Sequence, residues 1–222
     1  MKKEESDDFD FIYHFYNRGV EKREIFLNDA DRQRFVNGLY FFNDFNPALN
    51  AGRTMANVIE VELQSNDNRE KLVEILAFVL MPNHYHLLIK PLAKNGVTEF
   101  MRKVGTGYTN YFNIRHQRVG PLFQGKFKSV LIESDEQLSY IPNYIHLNPI
   151  GLIETKWKEG EIKNYKKAFD FAKNYRWSSF SDYLGQDKFS HIINKQILSD
   201  LIDIENHGSD ALAWLKDMNL PF

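Results

Sequence analysis

The side chains best able to do chemistry in this chain are two histidines two residues apart, His84 and His86, in the run Met81-Pro82-Asn83-His84-Tyr85-His86-Leu87-Leu88-Ile89-Lys90-Pro91. Alternate residues of a strand share a face, so both imidazoles project to one side while Tyr85 and Leu87 project to the other. Two neutral imidazoles on one face supply part of the coordination sphere of a divalent metal and leave positions open for water or phosphate. The same tripeptide also fits a polar strand face or a pair of hydrogen-bonded core histidines. A second group lies downstream, where Tyr140, Tyr144 and Asn148 stand at i, i+4 and i+8 and share one helix face, with His146 pointing away from it. A phenol with its ordinary pKa of about 10 is a poor nucleophile, but it serves when a metal polarises the electrophile. The amide oxygen of Asn148, one turn beyond Tyr144, is a further possible ligand. The alternative is that both tyrosines pack onto a sheet.

These groups need rigid elements beneath them. Val73–Leu80 is apolar and β-forming, Pro82-Asn83 reads as a tight turn, and His84–Lys90 completes a hairpin that would carry both histidines. Phe9–Tyr16 has the aromatic and β-branched content of a first strand. Asn28 offers an N-cap to a helix running through Asp44, with Phe35, Leu39 and Phe42 at helical spacing. Val58–Leu63 alternates as a short strand would. A second helix is expected over 97–116, where Phe100, Val104, Tyr108 and Phe112 recur; Gly105 and Gly107 weaken it, kink it or admit a close neighbour. Phe123–Glu133 reads as another strand. Ser134-Asp135-Glu136-Gln137 opens a third helix that runs to Leu147 and closes at Asn148-Pro149. This order predicts an α+β fold, a mostly antiparallel sheet with helices packed on it. After Pro149 the chain turns lysine-rich with interleaved aromatics and then amphipathic, so 1–150 is read as the catalytic domain and 151–222 as a mainly helical C-terminal extension.

Among the 222 residues, 43% are hydrophobic and 14% aromatic, enough for a substantial core. The absence of cysteine excludes disulfides, thiolate metal sites and a thiol nucleophile. No signal peptide or membrane-spanning run is legible, and a cytoplasmic protein is expected. The net charge of −2 gives no overall basic surplus. From Met101 to Ile132, however, Arg102, Lys103, Arg115, Arg118, Lys126 and Lys128 occur without one Asp or Glu, so one surface of a nearly neutral protein is expected to be positive.

Met-Pro-Asn-His84-Tyr-His86-Leu-Leu-Ile, followed by Tyr144-Ile-His-Leu-Asn148-Pro149, resembles the single-tyrosine transposases of the HUH endonuclease superfamily. It is most similar to the branch associated with repetitive extragenic palindromes (REP). Asn17-Arg18-Gly19, Tyr108-Thr-Asn-Tyr-Phe-Asn113, Gly120-Pro-Leu-Phe-Gln-Gly-Lys126-Phe-Lys-Ser129 and Trp177-Ser-Ser-Phe-Ser-Asp-Tyr183-Leu-Gly185 are similar to that branch too, so the resemblance spans about residues 9–186. It implies a ferredoxin-like antiparallel sheet with the nucleophile on a helix beneath it. It also implies a metal-dependent DNA strand transferase in which His84, His86 and Asn148 hold Mg2+ or Mn2+ and Tyr144 forms a 5'-phosphotyrosine. The implied partner is single-stranded DNA with a hairpin, cleaved and rejoined without ATP by a monomer or a homodimer.

DNA contacts are expected from Arg18, Arg102, Lys103, Arg115, Arg118, Lys126 and Lys128, with Phe123 or Tyr111 available to stack on unpaired bases or to fill the core. The tail lysines and Trp157 either touch the hairpin or line a solvated helix face. Because the chain is slightly acidic and carries an added tail, a domesticated hairpin-DNA-binding protein with little cleavage is the main alternative. A metal-dependent hydrolase that activates water is a third.

Overall fold

The computed structural model describes residues 11–47, 69–202 and 207–216. Strand β1 (Ile12–Arg18) is followed by helix α1 (Asp29–Phe41), strands β2 (Val73–Met81) and β3 (His84–Pro91), helix α2 (Gly96–Arg115), strand β4 (Lys128–Ile132) and helix α3 (Asp135–Leu147). The sheet order is β2-β3-β1-β4 and every pairing is antiparallel, the βαββαβ ferredoxin-like arrangement. The expected strand at Val58–Leu63 lies outside the described residues.

The alternation of the strands sorts the core into two layers. Tyr13, Phe15, Phe78, Leu80, Tyr85 and Leu87 face α1 and α2, where they meet Phe35, Leu39, Phe100, Val104 and Tyr108. Ile12, Val79, Met81 and Leu88 face α3 and meet Leu138, Ile141 and Ile145. Each of those three helix side chains is buried, which favours docking of α3 by about 1.5–3 kcal/mol apiece. The start of α3 is fixed by Ser134, whose side chain accepts from Gln137 N at 3.2 Å, while Gln137 Oε1 accepts from Glu133 N at 2.8 Å.

Two boundaries differ from the sequence expectation by several residues. Helix α1 ends at Phe41 rather than Asp44, because Asn43 turns its amide onto the start of β2: it donates to Val73 O at 2.8 Å and accepts from Leu72 N and Val73 N at 3.0 Å. Strand β4 begins at Lys128 rather than Phe123, since Gly125 sits at φ +147° and breaks the extended run. Helix α2 is continuous through both glycines. Gly105 faces open space, and Gly107 makes room for the Phe42 ring, which a Cβ there would meet at 2.3 Å.

The extension comprises α4 (Tyr165–Lys173), α5 (Phe180–Tyr183), α6 (Lys195–Leu201) and α7 (His207–Lys216). It covers the outer edge of β2, which would otherwise present unpaired backbone groups. Leu80 N donates to Trp177 O at 2.8 Å, Ser179 N to Phe78 O at 3.0 Å and Asn194 N to Ile75 O at 2.8 Å. Trp177, Phe189, Ile192 and Ile193 also enter the core beneath α1 and α2. Among the described residues no helix is long and apolar enough to cross a membrane.

Candidate active site

The turn ahead of β3 is held from three sides, and this fixes the first histidine. Gly19 N donates to Asn83 O and Ile25 N to Pro82 O, both at 2.8 Å, and Asn83 Nδ2 donates to Lys22 O at 3.2 Å. Gly19 is needed at this clamp because a Cβ would lie 2.3 Å from the Arg23 carbonyl oxygen. With its nitrogen committed to Lys22, Asn83 presents Oδ1 to His84 Nδ1 at 2.7 Å. The imidazole therefore donates from Nδ1 and keeps a lone pair on Nε2.

That lone pair faces Asn148 Oδ1 at 3.4 Å, so two acceptors oppose each other. Burial holds the His84 pKa down to about 4, opposed by the contact with Asn148 and assisted by the charges of Lys158 and Arg18, so a bridging proton is disfavoured at neutral pH. Asn148 is buried, and among the described residues its Nδ2 has no hydrogen-bond partner. A cation accepting from both His84 Nε2 and Asn148 Oδ1 would relieve this opposition.

His86 lies 5.1 Å from His84, centroid to centroid, on the same face of β3. Its Nδ1 is 2.8 Å from Nε2 of His14, a β1 residue whose ring stacks on it at 4.9 Å. One ring must donate to the other. When His86 is the donor, its Nε2 lone pair remains available to a metal, and His14 orients the ligand. His14 is pushed down to about 4 and His86 well below the ordinary histidine value, in both cases first by burial, so all three rings are neutral at physiological pH. Two imidazole lone pairs and an amide oxygen fit a divalent cation that completes its shell with water or phosphate oxygens. Among the described residues no group of three or more His, Cys, Asp or Glu is arranged to hold an ion.

Helix α3 presents Tyr144 to the same place within one chain. Its half-buried ring meets His86 edge-on at 5.5 Å and His14 at 6.0 Å, with Tyr140 stacked on one side at 6.0 Å and Trp157 on another at 6.3 Å. Lys158 Nζ donates to the Tyr144 hydroxyl at 2.6 Å. A cavity of about 620 Å³ opens beside these groups, lined by His14, Tyr16, His86, Tyr140, Tyr144 and Lys158 among others. His146 points the other way, fully buried, with Nε2 2.9 Å from Ser179 Oγ.

The expected DNA contacts fall into two sets. Arg18 pairs with His84 across β1 and β3, and Lys128 with Tyr16 across β1 and β4, so both border the histidine face. Exposed Lys126 flanks them, alternating with Phe127, which packs on the other layer. Arg102, Lys103, Arg115 and Arg118 belong to α2 or the turn after it, across the sheet from the histidines. Arg102 donates to Glu99 at 2.7 and 2.8 Å, and Arg115 lies 3.7 Å from Asp31. Lys103 caps the carbonyls of Asp44, Phe45 and Asn46, while Arg118 fastens to Asn113 Oδ1 and Pro121 O. Tyr111 donates to buried Asp31 at 3.1 Å, and both it and Phe123 pack against the core.

Residues 54–148 match the family model described as "Transposase IS200 like". The matched region is less than half of the chain. That region begins ahead of β2 and ends at Asn148, so it takes in both histidines and Tyr144, while His14 and Lys158 lie outside it. A REP-associated tyrosine transposase bound to a REP hairpin is similar in structure, at 15% identity and a TM-score of 0.47, over 79% of this chain and 80% of that one. No curated protein matches the chain.

Sequence reasoning missed His14 and Lys158. The period-2 alternation of β1 places His14 with Tyr16 on one face, but which face that is depends on the pairing of β1 with β3.

Proposed function

We propose that the protein is a metal-dependent DNA strand transferase that cleaves and rejoins single-stranded DNA beside a hairpin, with Tyr144 as the nucleophile. The reading is supported by a chain of contacts in which the Tyr144 ring meets His86 at 5.5 Å, His86 lies 5.1 Å from His84, and His84 faces the Asn148 amide at 3.4 Å, in a chain whose residues 54–148 match the IS200-like transposase model. Mg2+ or Mn2+ held by His84, His86 and Asn148 would supply Lewis-acid polarisation of the scissile phosphate. Tyr144 attacks phosphorus in line: its oxygen gains the bond to phosphorus, the bond to the 3' oxygen breaks, and that oxygen leaves as a hydroxyl after taking a proton from solvent. Attack by another 3'-hydroxyl on the 5'-phosphotyrosine reverses these changes and joins strands without an external energy source. Arg18, Lys126 and Lys128 border the site where strand phosphates would run, and Tyr16 and Tyr140 offer ring faces to unpaired bases.

The test is incubation of the full chain with hairpin-bearing single-stranded DNA and Mn2+, followed by boiling in detergent. A covalent protein–DNA adduct is expected from the parent and not from Tyr144→Phe. Equal adduct formation by Tyr144→Phe refutes the assignment.

A further inference from the structure

We propose that Lys158, supplied by the extension beyond the IS200-like region, is a catalytic residue whose ammonium stabilises the negative charge on the Tyr144 oxygen during strand transfer. The inference rests on the reading of Tyr144 as the nucleophile. Lys158 Nζ donates to that hydroxyl at 2.6 Å, a short contact from a charged donor, and stands 4.6 Å from the ring centroid.

The position is built rather than incidental. Trp157 is 2% exposed, sits among Leu147, Ile150, Ala168, Ala172 and Phe180, and stacks on Tyr144. The single turn Trp157–Glu159 is closed by Gly160 at φ +77°, a backbone state that glycine adopts without strain. The backbone of Lys158 is thereby anchored while its side chain stays exposed to the cavity. Two residues away, Lys156 is paired with Glu161 at 3.1 Å, whereas among the described residues no carboxylate pairs with Lys158.

An ammonium has three donors and no lone pair, so Lys158 does not accept the phenol proton, which goes to solvent. It acts electrostatically. It stabilises the negative charge shared by the Tyr144 oxygen in the transition state, and it stays beside the phosphotyrosine oxygens afterwards, when a second 3'-hydroxyl displaces the tyrosine. Losing one preorganised charge of this kind slows a chemical step on the order of 100-fold.

The test is the single-turnover rate of adduct formation by the full chain with hairpin DNA and Mn2+. Lys158→Met is expected to form adduct on the order of 100-fold more slowly than the parent. Because the chain contains no cysteine, Lys158→Cys introduces a single thiol that can be alkylated selectively. Alkylation with 2-bromoethylamine rebuilds a lysine-like ammonium and is expected to restore the rate, whereas iodoacetamide, which adds comparable bulk without charge, is not. Parent-like rates for Lys158→Met, or equal recovery with both reagents, overturn the proposal. Absence of adduct from the parent removes the nucleophile reading and this proposal with it, an outcome distinct from a parent that reacts and a Lys158→Met variant that reacts equally well.

Discussion

Acidification is expected to destabilise the protein through the three clustered histidines, His14, His84 and His86. In the fold, His14 and His84 are held down to about 4 and His86 well below its ordinary value, all mainly by burial, against an unfolded value of 6.5. Above pH 6.5 neither state is protonated and the rings leave stability unchanged. Between that value and about 4 the unfolded chain binds protons that the folded chain refuses, so stability falls as the pH falls. At pH 5 the difference is about 2 kcal/mol for each of His14 and His84, and His86 acts in the same direction. Equilibrium urea unfolding in the presence of a chelator at about pH 7.5 and about pH 5 measures the loss. His14→Phe keeps an apolar ring on β1 and removes one titrating group, so its loss between the two pH values is expected to be smaller than the parent's by about 2 kcal/mol. Carboxylates contribute equally to both proteins and cancel. If the parent and His14→Phe lose the same stability, the argument that burial keeps these rings neutral is wrong.

Two other perturbations separate the surfaces. Arg18→Ala and Lys128→Ala border the histidine face, and each is expected to reduce the salt dependence of single-strand binding by about 0.7 in the log–log slope, whereas Arg102→Ala, across the sheet and paired with Glu99, leaves it unchanged; fluorescence anisotropy across a salt series reads this, and an equal effect from Arg102→Ala contradicts the placement. Asp31 is fully buried, accepts from Leu27 N at 2.9 Å and Tyr111 Oη at 3.1 Å, and lies 3.0 Å from His116 Nε2. Asp31→Ala is expected to cost about 3 kcal/mol in urea unfolding, and a loss below about 1 kcal/mol contradicts a structural role for this network.

Much of the site was legible because it is local. The period of two put His84 and His86 on one face, the Pro82-Asn83 turn opened β3, and the Ser134 cap set the phase of α3 and so the direction of Tyr144 and Asn148. Contacts made at long range were not legible. His14 meets His86 across 72 positions, and only the strand order brings them together. The basic stretch shows the complementary failure. Composition counts charges but does not reveal that the carbonyls of 44–46 need a donor, which Lys103 supplies, or that Arg118 ties down its own turn. Lys158 lies among many lysines, and only the burial of its neighbour Trp157 singles it out.

The central claim is that the Tyr144 oxygen becomes bonded to DNA. Tandem mass spectrometry of the nuclease-trimmed, protease-digested adduct tests it most directly. A nucleotide phosphate is expected on the peptide containing Tyr144, with fragment ions assigning it to that residue. A nucleotide on Tyr140, or on any other side chain, contradicts it.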